Sequence, residues 1–302
     1  MNIFYYNINY SCNNKCKFCF SHNTYYNNIK NITLEDVQNS IHRYDISYED
    51  RIIVNGGEPT LHPELIDILS AFKSTKAEII MYSNGRRLIN KRFCEDVLSN
   101  VDRIVIPIHG KQSIHDKITQ IDGAYQETIE GIQNIINGKF ANRLELKFIV
   151  TKSMIDSKFS IIDFLKKQSI IDCNVVITGV VPTKVANTHK NVLPNQYELG
   201  EFISSTIWNY LRRSQGRLKL MDCKLCILPV SMREIIEGLT DKSLPIQYVY
   251  YFFDSNITKG RIMSYGNERK CSNCNMKIYC RSIEDSCKVL ELNRYEKRIV
   301  LE

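Results

Sequence analysis

The first two thirds of the chain alternate between strand-like and helix-like segments, and this alternation limits the possible folds more than any other feature. Six short runs rich in apolar, β-branched and aromatic residues are each followed by a segment with helical periodicity. The strand-like runs are residues 3–10, 51–54, 77–82, 101–108, 144–150 and 174–181. Alternation at this spacing predicts parallel strands joined by right-handed helical crossovers. We therefore predict an α/β fold, a partial (β/α)6 barrel of parallel strands.

The segments between the strands carry the signals that begin helices. Thr33 precedes acidic residues, as at a helix N-cap, and Pro63 suits a first helical turn. The predicted helices cover residues 33–44, 63–72, 90–98, 125–136, 158–167 and 196–213. Residues beyond about 216 break the alternation. We predict two units, a partial-barrel domain of residues 1–215 and a small cysteine-rich module of residues 216–302.

Three distinctive loops follow the first three predicted strands. They are the cysteine loop, residues 12–19, then Gly56-Gly57-Glu58 and Ser83-Asn84-Gly85. In parallel α/β folds the functional residues gather at the carboxyl ends of the strands. We therefore expect these three loops to meet at one edge of the sheet.

The chain contains 11 cysteines, and their interpretation depends on the compartment. No segment is long and apolar enough to span a bilayer, and the N-terminus lacks the pattern of a secretory signal. We predict a cytoplasmic protein without a membrane partner, in which clustered thiols indicate metal or redox chemistry. Cys94 and Cys173 stand alone and are interpreted as core residues. The net charge is +7, but the chain contains no block of basic residues interleaved with aromatic residues. We therefore expect no nucleic-acid partner.

Cys12, Cys16 and Cys19 place three thiolates on one short loop. Thiolates suit iron–sulfur clusters, and three ligands on a four-iron cluster leave one iron open to a substrate or cofactor. The alternative is zinc, which prefers four ligands in structural sites, and the fourth is missing locally. The spacing favours a 4Fe–4S cluster.

The loop resembles the defining signature of the radical S-adenosylmethionine (SAM) superfamily, including the aromatic Phe18 before the third cysteine. The resemblance continues in the same order through four further motifs and covers roughly residues 1–185. These motifs are Gly56-Gly57-Glu58-Pro59-Thr60, Ser83-Asn84-Gly85, residues 102–110 and His115-Asp116.

The resemblance implies that SAM chelates the open iron and that the reduced cluster cleaves SAM to a 5′-deoxyadenosyl radical, which abstracts a substrate hydrogen. It also implies a set of SAM contacts: Phe18, Gly56, Gly57, Glu58, Ser83, Asn84, Thr151 and Val181. Turn formation is the alternative role for the two loops, and for Glu58 in particular the alternative is capping its turn. Many relatives carry a Ser that contacts SAM where Pro107 stands here. Pro107 lacks that hydroxyl. His109 is a candidate replacement, and the favoured alternative is a turn histidine without a SAM contact.

Six further cysteines lie in the C-terminal module: Cys223, Cys226, Cys271, Cys274, Cys280 and Cys287. The stretch 271–280 resembles the auxiliary-cluster motif of SPASM and twitch radical SAM enzymes. We predict one auxiliary 4Fe–4S cluster whose ligands are Cys271, Cys274, Cys280 and one of Cys223 and Cys226. Cys287 is then spare or an alternative ligand. The alternative is a structural zinc site of Cys223, Cys226, Cys271 and Cys274.

The resemblance implies a radical SAM enzyme, and our leading hypothesis is a maturase of ribosomally made peptides or protein side chains. The alternatives are a radical SAM oxidoreductase or epimerase of a small metabolite, and a non-catalytic metal-binding module. Only 11 residues precede Cys12, so we expect no leader-binding domain ahead of the barrel. The substrate is then recognised by the barrel and C-terminal module or delivered by a separate recognition protein. A flavodoxin or ferredoxin is the expected reductant.

Overall fold

The computed structural model describes residues 2–19, 31–138, 140–180, 184–189, 191–214, 216–221, 227–228, 249–253 and 256–260.

Nine strands in the described part of the chain form one sheet. They are β1 (Ile3–Asn7), β2 (Arg51–Asn55), β3 (Glu78–Tyr82), β4 (Arg103–Ile108), β5 (Leu144–Val150), β6 (Asn174–Gly179), β7 (Leu218–Met221), β8 (Val249–Phe253) and β9 (Asn256–Gly260). The order across the sheet is β7-β6-β5-β4-β3-β2-β1-β8-β9. Every neighbouring pair is parallel except β8 and β9, which form an antiparallel pair. The sheet is open, and the predicted α/β partial barrel is confirmed.

Three of these strands come from residues beyond 215. β7 pairs with β6, and β8 pairs with β1 in the register Ile3 to Val249. The sheet therefore continues on both sides of the six predicted strands. The predicted division of the chain between residues 215 and 216 stays a prediction.

Along the described residues, helices alternate with the first six strands. They are α1 (Leu34–Tyr44), α2 (Leu65–Ser74), α3 (Lys91–Asn100), α4 (Gln112–Thr119), α5 (Ala124–Asn137), α6 (Lys152–Asp156), α7 (Ile161–Lys167), α8 (Lys184–Thr188) and α9 (Gln196–Leu211). Thr33 is the N-cap of α1, as predicted, and forms a capping box with Asp36. The helix predicted over 158–167 begins at Ile161, because Ser160 Oγ accepts a hydrogen bond from the backbone N–H of Asp163 and starts the helix there.

Successive side chains along each strand point to opposite faces of the sheet, and the apolar ones form a separate core on each face. The larger one buries one face of the sheet under the helices and includes Phe4, Tyr6 and Phe72. Phe4 stacks on Tyr250 at 4.8 Å between ring centroids, and Tyr6 stacks on Phe252 at 4.2 Å. These stacked pairs join β8 to β1, and such contacts add to the stability that area burial provides.

The opposite face carries a small apolar cluster of Ile3, Ile53, Ile80 and Val105. Near the beginnings of the strands, charged side chains of alternating sign form a ladder across the same face of the sheet. Arg51, Glu78 and Arg103 each stand two residues before a member of this cluster. Glu78 pairs with Arg51 at 2.6 Å and with Arg103 at 2.7 Å. Glu145 pairs with Lys219 at 3.1 Å and with Arg103 at 3.5 Å. The ladder spans strands from β2 to β7 and fixes their relative positions at the edge remote from the cysteine loop.

Within the described residues, no helix combines the length and apolar character needed to cross a membrane.

Replacing Glu78 with Gln is expected to destabilise the sheet at neutral pH. Burial raises the pKa of Glu78, but the guanidiniums of Arg103 and Arg51 outweigh burial and leave the pKa below its ordinary value. We expect a loss of about 1–2 kcal/mol, since water screens the exposed part of the ladder. A carboxyl with a lowered folded-state pKa stabilises above its unfolded pKa. The difference from wild type should therefore shrink as pH falls below about 4. Chemical denaturation at several pH values measures it, with the exposed Glu95→Gln as the control.

Candidate functional site

The loops after β1, β2 and β3 meet at the carboxyl edge of the sheet, as predicted. The N–H of Gly57 donates to Asn9 O at 2.9 Å, and the N–H of Glu58 donates to Ser11 O at 2.8 Å. Further along the cysteine loop, Lys15 and Lys17 donate backbone N–H groups to the last turn of α4, at 2.9 and 3.0 Å. The loop is therefore held by backbone hydrogen bonds on both sides of Cys12.

Gly56 and Gly57 allow this contact because neither carries a Cβ. A Cβ on Gly57 would lie 2.4 Å from Ser11 O, and one on Gly56 would lie 2.5 Å from Asn9 O. Gly56 also has φ of +147°, in the region that favours glycine. The space beside the two glycines is filled by the backbone that leads into the cysteine loop. Their expected approach to the methionyl group of SAM stays a prediction.

Glu58 lies at the centre of the three loops. One carboxylate oxygen accepts hydrogen bonds from Thr60 N–H at 3.1 Å, Thr60 Oγ1 at 2.6 Å and Ser83 Oγ at 2.7 Å. The other accepts from Asn84 N–H at 2.7 Å. Asn9 Nδ2 donates to the carbonyl of Glu58 at 2.8 Å. Burial raises the pKa of the Glu58 carboxyl, and these donors oppose the rise.

Ser83 and Asn84 use their polar groups within the same network. Ser83 Oγ also accepts from Gly85 N–H at 3.0 Å, and Asn84 Nδ2 donates to Asn13 Oδ1 at 2.6 Å. Asn84 therefore joins the third strand's turn to the cysteine loop. These contacts support the turn-forming role, and a contact of either residue with SAM stays a prediction.

Arg86 is a site residue that sequence reasoning missed. Its side chain is mostly buried, and Nη1 donates to Asn13 O at 2.5 Å and to Asn14 Oδ1 at 2.9 Å. Nε donates to Glu127 of α5 at 2.5 Å. A planar guanidinium holds its five donors in a fixed fork, so Nη1 and Nε of Arg86 reach partners on two different elements in one rigid geometry. Its position directly after the Ser83-Asn84-Gly85 turn was the available sequence signal.

Cys12 is exposed, and Cys16 and Cys19 are partly buried. Although Cys12 is exposed as a residue, desolvation of its thiol raises the pKa to about 11. The Asn14 N–H, which donates to Sγ at 3.3 Å, opposes this rise, as does the Arg86 guanidinium, whereas Glu58 and Cys19 add to it. Burial likewise raises the pKa of Cys16, and the other two thiols add to it. Among the described residues, no three His, Cys, Asp or Glu side chains converge as they would around a single metal ion.

His109 directly follows β4 and lies close to the cysteine loop. Its ring meets Phe18 edge-on at 5.1 Å and His115 at 4.9 Å between centroids. Burial holds the pKa of His109 well below its ordinary value and lowers that of His115 to about 4. Asp116 accepts hydrogen bonds from Gly123 and Tyr125 N–H, so it caps α5.

Two other predicted contacts have separate outcomes. Thr151 is buried and is the N-cap of α6, where Oγ1 accepts from Met154 N–H at 3.1 Å. Val181 lies outside the described residues, and so do all six cysteines of the predicted C-terminal module. These are Cys223, Cys226, Cys271, Cys274, Cys280 and Cys287. Their ligand roles stay predictions.

The site fits a cluster and a polar cofactor on two grounds. Three soft thiolates on one loop suit iron and sulfide. Two buried polar atoms beside the loop, Asn9 Oδ1 and His109 Nδ1, have no hydrogen-bond partner among the described residues. Such atoms are uncommon in folded proteins and are ordinarily satisfied by a ligand or water.

Comparison with known proteins identifies the domain. Residues 6–151 match the sequence profile of the radical SAM superfamily. The chain contains a radical SAM domain. Enzymes of this superfamily use a 4Fe–4S cluster and SAM, so the cofactors inferred from the cysteine loop are those of the family.

Curated relatives match over part of the chain. A probable GTP 3′,8-cyclase of Thermococcus kodakarensis is 24% identical over 163 residues, which are 53% of this chain and 52% of the relative. An AdoMet-dependent heme synthase of Methanosarcina barkeri is 21% identical over 210 residues, 69% of this chain and 58% of the relative. The chain spans about half the length of the curated relatives it matches.

Solved structures match over more of the chain. His-tagged anSMEcpe with bound AdoMet has a TM-score of 0.65 at 11% identity and covers 99% of this chain and 97% of its own. Streptococcus suis SuiB bound to its precursor peptide SuiA has a TM-score of 0.61 at 15% identity and covers 92% and 70%. These likenesses confirm the fold.

Gly57→Ala is expected to displace the cysteine loop, because its methyl group would lie 2.4 Å from Ser11 O. Overpacking of this kind costs about 1–3 kcal/mol. We also expect less iron per chain after anaerobic reconstitution. The control is Gly123→Ala, where no atom lies within 4 Å of an added Cβ but φ is +81°. That control loses only about 1–2 kcal/mol of backbone conformational energy. Equal iron contents in the two variants would contradict the steric role of Gly57.

Glu58→Gln places an amide NH2 among groups that all donate hydrogen bonds. We expect a loss of about 1–3 kcal/mol in the free energy of unfolding, together with lower iron content, because the loops lose their shared acceptor. Chemical denaturation and iron quantification measure the two effects. The exposed Glu201→Gln on α9 is the matched control. A Glu58→Gln protein as stable and as iron-rich as wild type would show that this carboxylate does not join the loops.

Proposed function

We propose that this protein is a cytoplasmic radical SAM maturase that abstracts hydrogen from a peptide or protein side chain. The observation that carries the proposal is the extent of the structural likeness. SuiB, whose structure holds a precursor peptide, and anSMEcpe with the Cp18Cys peptide cover 92% and 93% of this chain. The first curated relatives cover only 53–56%.

The chemistry would come from the cofactors. When bound, the reduced cluster supplies the electron that cleaves SAM, and the resulting 5′-deoxyadenosyl radical removes a substrate hydrogen. The chain's own part is to hold and position these groups. Cys12, Cys16 and Cys19 would ligate three irons, while Glu58 and Arg86 keep the loop at the carboxyl edge of the sheet.

We propose that the substrate lies against the face of the sheet that carries the small apolar cluster. Further toward the carboxyl edge on this face, Lys147 Nζ lies 5.4 Å from the centre of the Tyr82 ring. In this proposal the substrate contacts the Tyr82 ring and the aliphatic stem of Lys147 on this face. We further propose one auxiliary 4Fe–4S cluster in residues 216–302, and substrate delivery by a separate recognition protein where the barrel alone does not suffice.

A second candidate is a nucleotide or another small metabolite as substrate. Several curated relatives are named probable GTP 3′,8-cyclases, with 24–27% identity over 163–173 residues. That match covers 53–56% of this chain, whereas the likeness to the peptide-bound structures covers more than 90%. It therefore favours the shared radical chemistry more than a shared substrate. A non-catalytic metal-binding module is the third possibility.

Anaerobic reconstitution with iron and sulfide, followed by dithionite and SAM, tests catalysis. We expect 5′-deoxyadenosine from wild type and none from a Cys12→Ala/Cys16→Ala/Cys19→Ala variant. A wild-type protein that holds its cluster but forms no 5′-deoxyadenosine would leave the metal-binding module as the function. The same triple variant tests the auxiliary cluster, because about four irons per chain should remain. Loss of all iron would contradict an independent auxiliary cluster.

The substrate class is tested by what accelerates SAM cleavage. We expect a peptide encoded beside the gene to raise 5′-deoxyadenosine formation and to lose mass or gain a crosslink by mass spectrometry. GTP serves as the matched small-molecule probe. Acceleration by GTP with a cyclised nucleotide product would overturn the peptide proposal and support the second candidate.

A further inference from the structure

A groove of about 510 Å³ opens beside the cysteine loop. Asn13 of that loop forms one wall, the 3₁₀ turn Arg86–Ile89 forms another, and Phe93 of α3 and Glu127 of α5 complete it. Since α3 and α5 cover the outer face of the sheet, the groove lies on the helical side of the domain. The face with the small apolar cluster is on the other side of the strands.

The groove is joined directly to the cysteine loop. Arg86 lines it and donates two hydrogen bonds into the loop, one of them to the carbonyl of Asn13. Asn13 is the residue after Cys12. A molecule seated in the groove would therefore lie next to the backbone that carries the first predicted cluster ligand.

The groove has exposed cations on and beside its lining. Arg87 and Ile89 line it and are exposed, Ile89 with 44% of its surface. Lys91 and Arg92 are also exposed and lie in sequence between two further lining residues, Asn90 and Phe93. Arg87 is held over the Phe93 ring at 4.9 Å. The acidic groups nearby are Glu127, which pairs with Arg86, and two exposed residues one turn further along α3, Glu95 and Asp96. Four cations and three carboxylates therefore lie on or beside the lining, and the one carboxylate that lines the groove, Glu127, is already paired with Arg86.

Lys91 and Arg92 do not stabilise the helix in which they lie. They occupy the first turn of α3, which contains no acidic residue. The partial positive charge at a helix N-terminus favours anions there and disfavours cations. Their position is unfavourable for helix stability and favourable for attracting an anionic partner.

We propose that this basic groove is the docking surface for a small acidic one-electron carrier protein of the flavodoxin or ferredoxin class. The inference rests on the proposed function, because reductive cleavage of SAM consumes one electron that must come from outside the chain. In the transfer, the carrier is oxidised by one electron and the cluster is reduced by one, with no group exchanged between the proteins. A basic patch on one protein and an acidic patch on the other accelerate such encounters.

The position of the groove favours an electron carrier over an acidic peptide substrate. A substrate must reach the radical formed at the open iron, whereas a carrier needs only to approach the cluster. A groove on the helical side lets the carrier bind without competing with a substrate on the opposite face of the sheet.

The test compares two charge reversals in the reconstituted full chain. Lys91→Glu/Arg92→Glu alters the groove rim, and Lys166→Glu/Lys167→Glu makes the same charge change in the last turn of α7. Formation of 5′-deoxyadenosine is measured against the concentration of enzymatically reduced flavodoxin at several ionic strengths. Dithionite replaces flavodoxin in parallel reactions. Peptide stimulation is measured with dithionite.

We expect the rim variant to need about tenfold more flavodoxin for half-maximal rate and to show a weaker salt dependence. The α7 variant should behave as wild type, and dithionite should drive all three proteins equally. Because glutamates suit a first helical turn, the rim variant should unfold at the same temperature as wild type or higher.

Equal flavodoxin dependence in the two variants would overturn the docking surface. So would a rim variant that responds normally to flavodoxin but loses stimulation by the peptide, since the groove would then be a peptide site. Failure of dithionite to yield 5′-deoxyadenosine from any of the proteins would instead refute the proposed function.

Discussion

The arrangement of the site depends on one residue, Glu58, which joins the loops after the first three strands. Its N–H and carbonyl bind the backbone of Ser11 and the side chain of Asn9, on the way into the cysteine loop. Its carboxylate binds Thr60 in its own turn and Ser83 and Asn84 in the next. A buried carboxylate is unfavourable unless donors surround it, so the loops and the carboxylate stabilise one another. Gly56 and Gly57 permit this contact by leaving no side chain in the way.

Arg86 holds the cysteine loop from the opposite side. It bridges the backbone of that loop to Glu127 on α5, and it is the cation whose charge opposes the raised pKa of Cys12. A cluster ligated by thiolates brings negative charge to the loop, and a fixed guanidinium beside it offsets part of that charge. The same side chain lines the basic groove, so loop positioning and the proposed electron entry share one residue.

The C-terminal region adds to the barrel through β8. Its aromatic side chains stack on Phe4 and Tyr6 of β1, the strand that leads into the cysteine loop. The region that carries the predicted auxiliary cysteines is thereby tied to the strand beside the radical SAM site.

Local patterns in the sequence determined a large part of this result. Short runs of apolar, β-branched and aromatic residues placed all six predicted strands, and the spacing of Cys12, Cys16 and Cys19 with the Gly56-Gly57 turn indicated the radical SAM domain. These features are visible in sequence because periodicity and ligand spacing act over a few residues. Only the tertiary structure decided which atoms meet. Arg86 and Asn13 are 73 residues apart, and β8 joins β1 from more than 240 positions away along the chain. Contacts of that range depend on how loops cross the ends of the strands, and no local pattern records them.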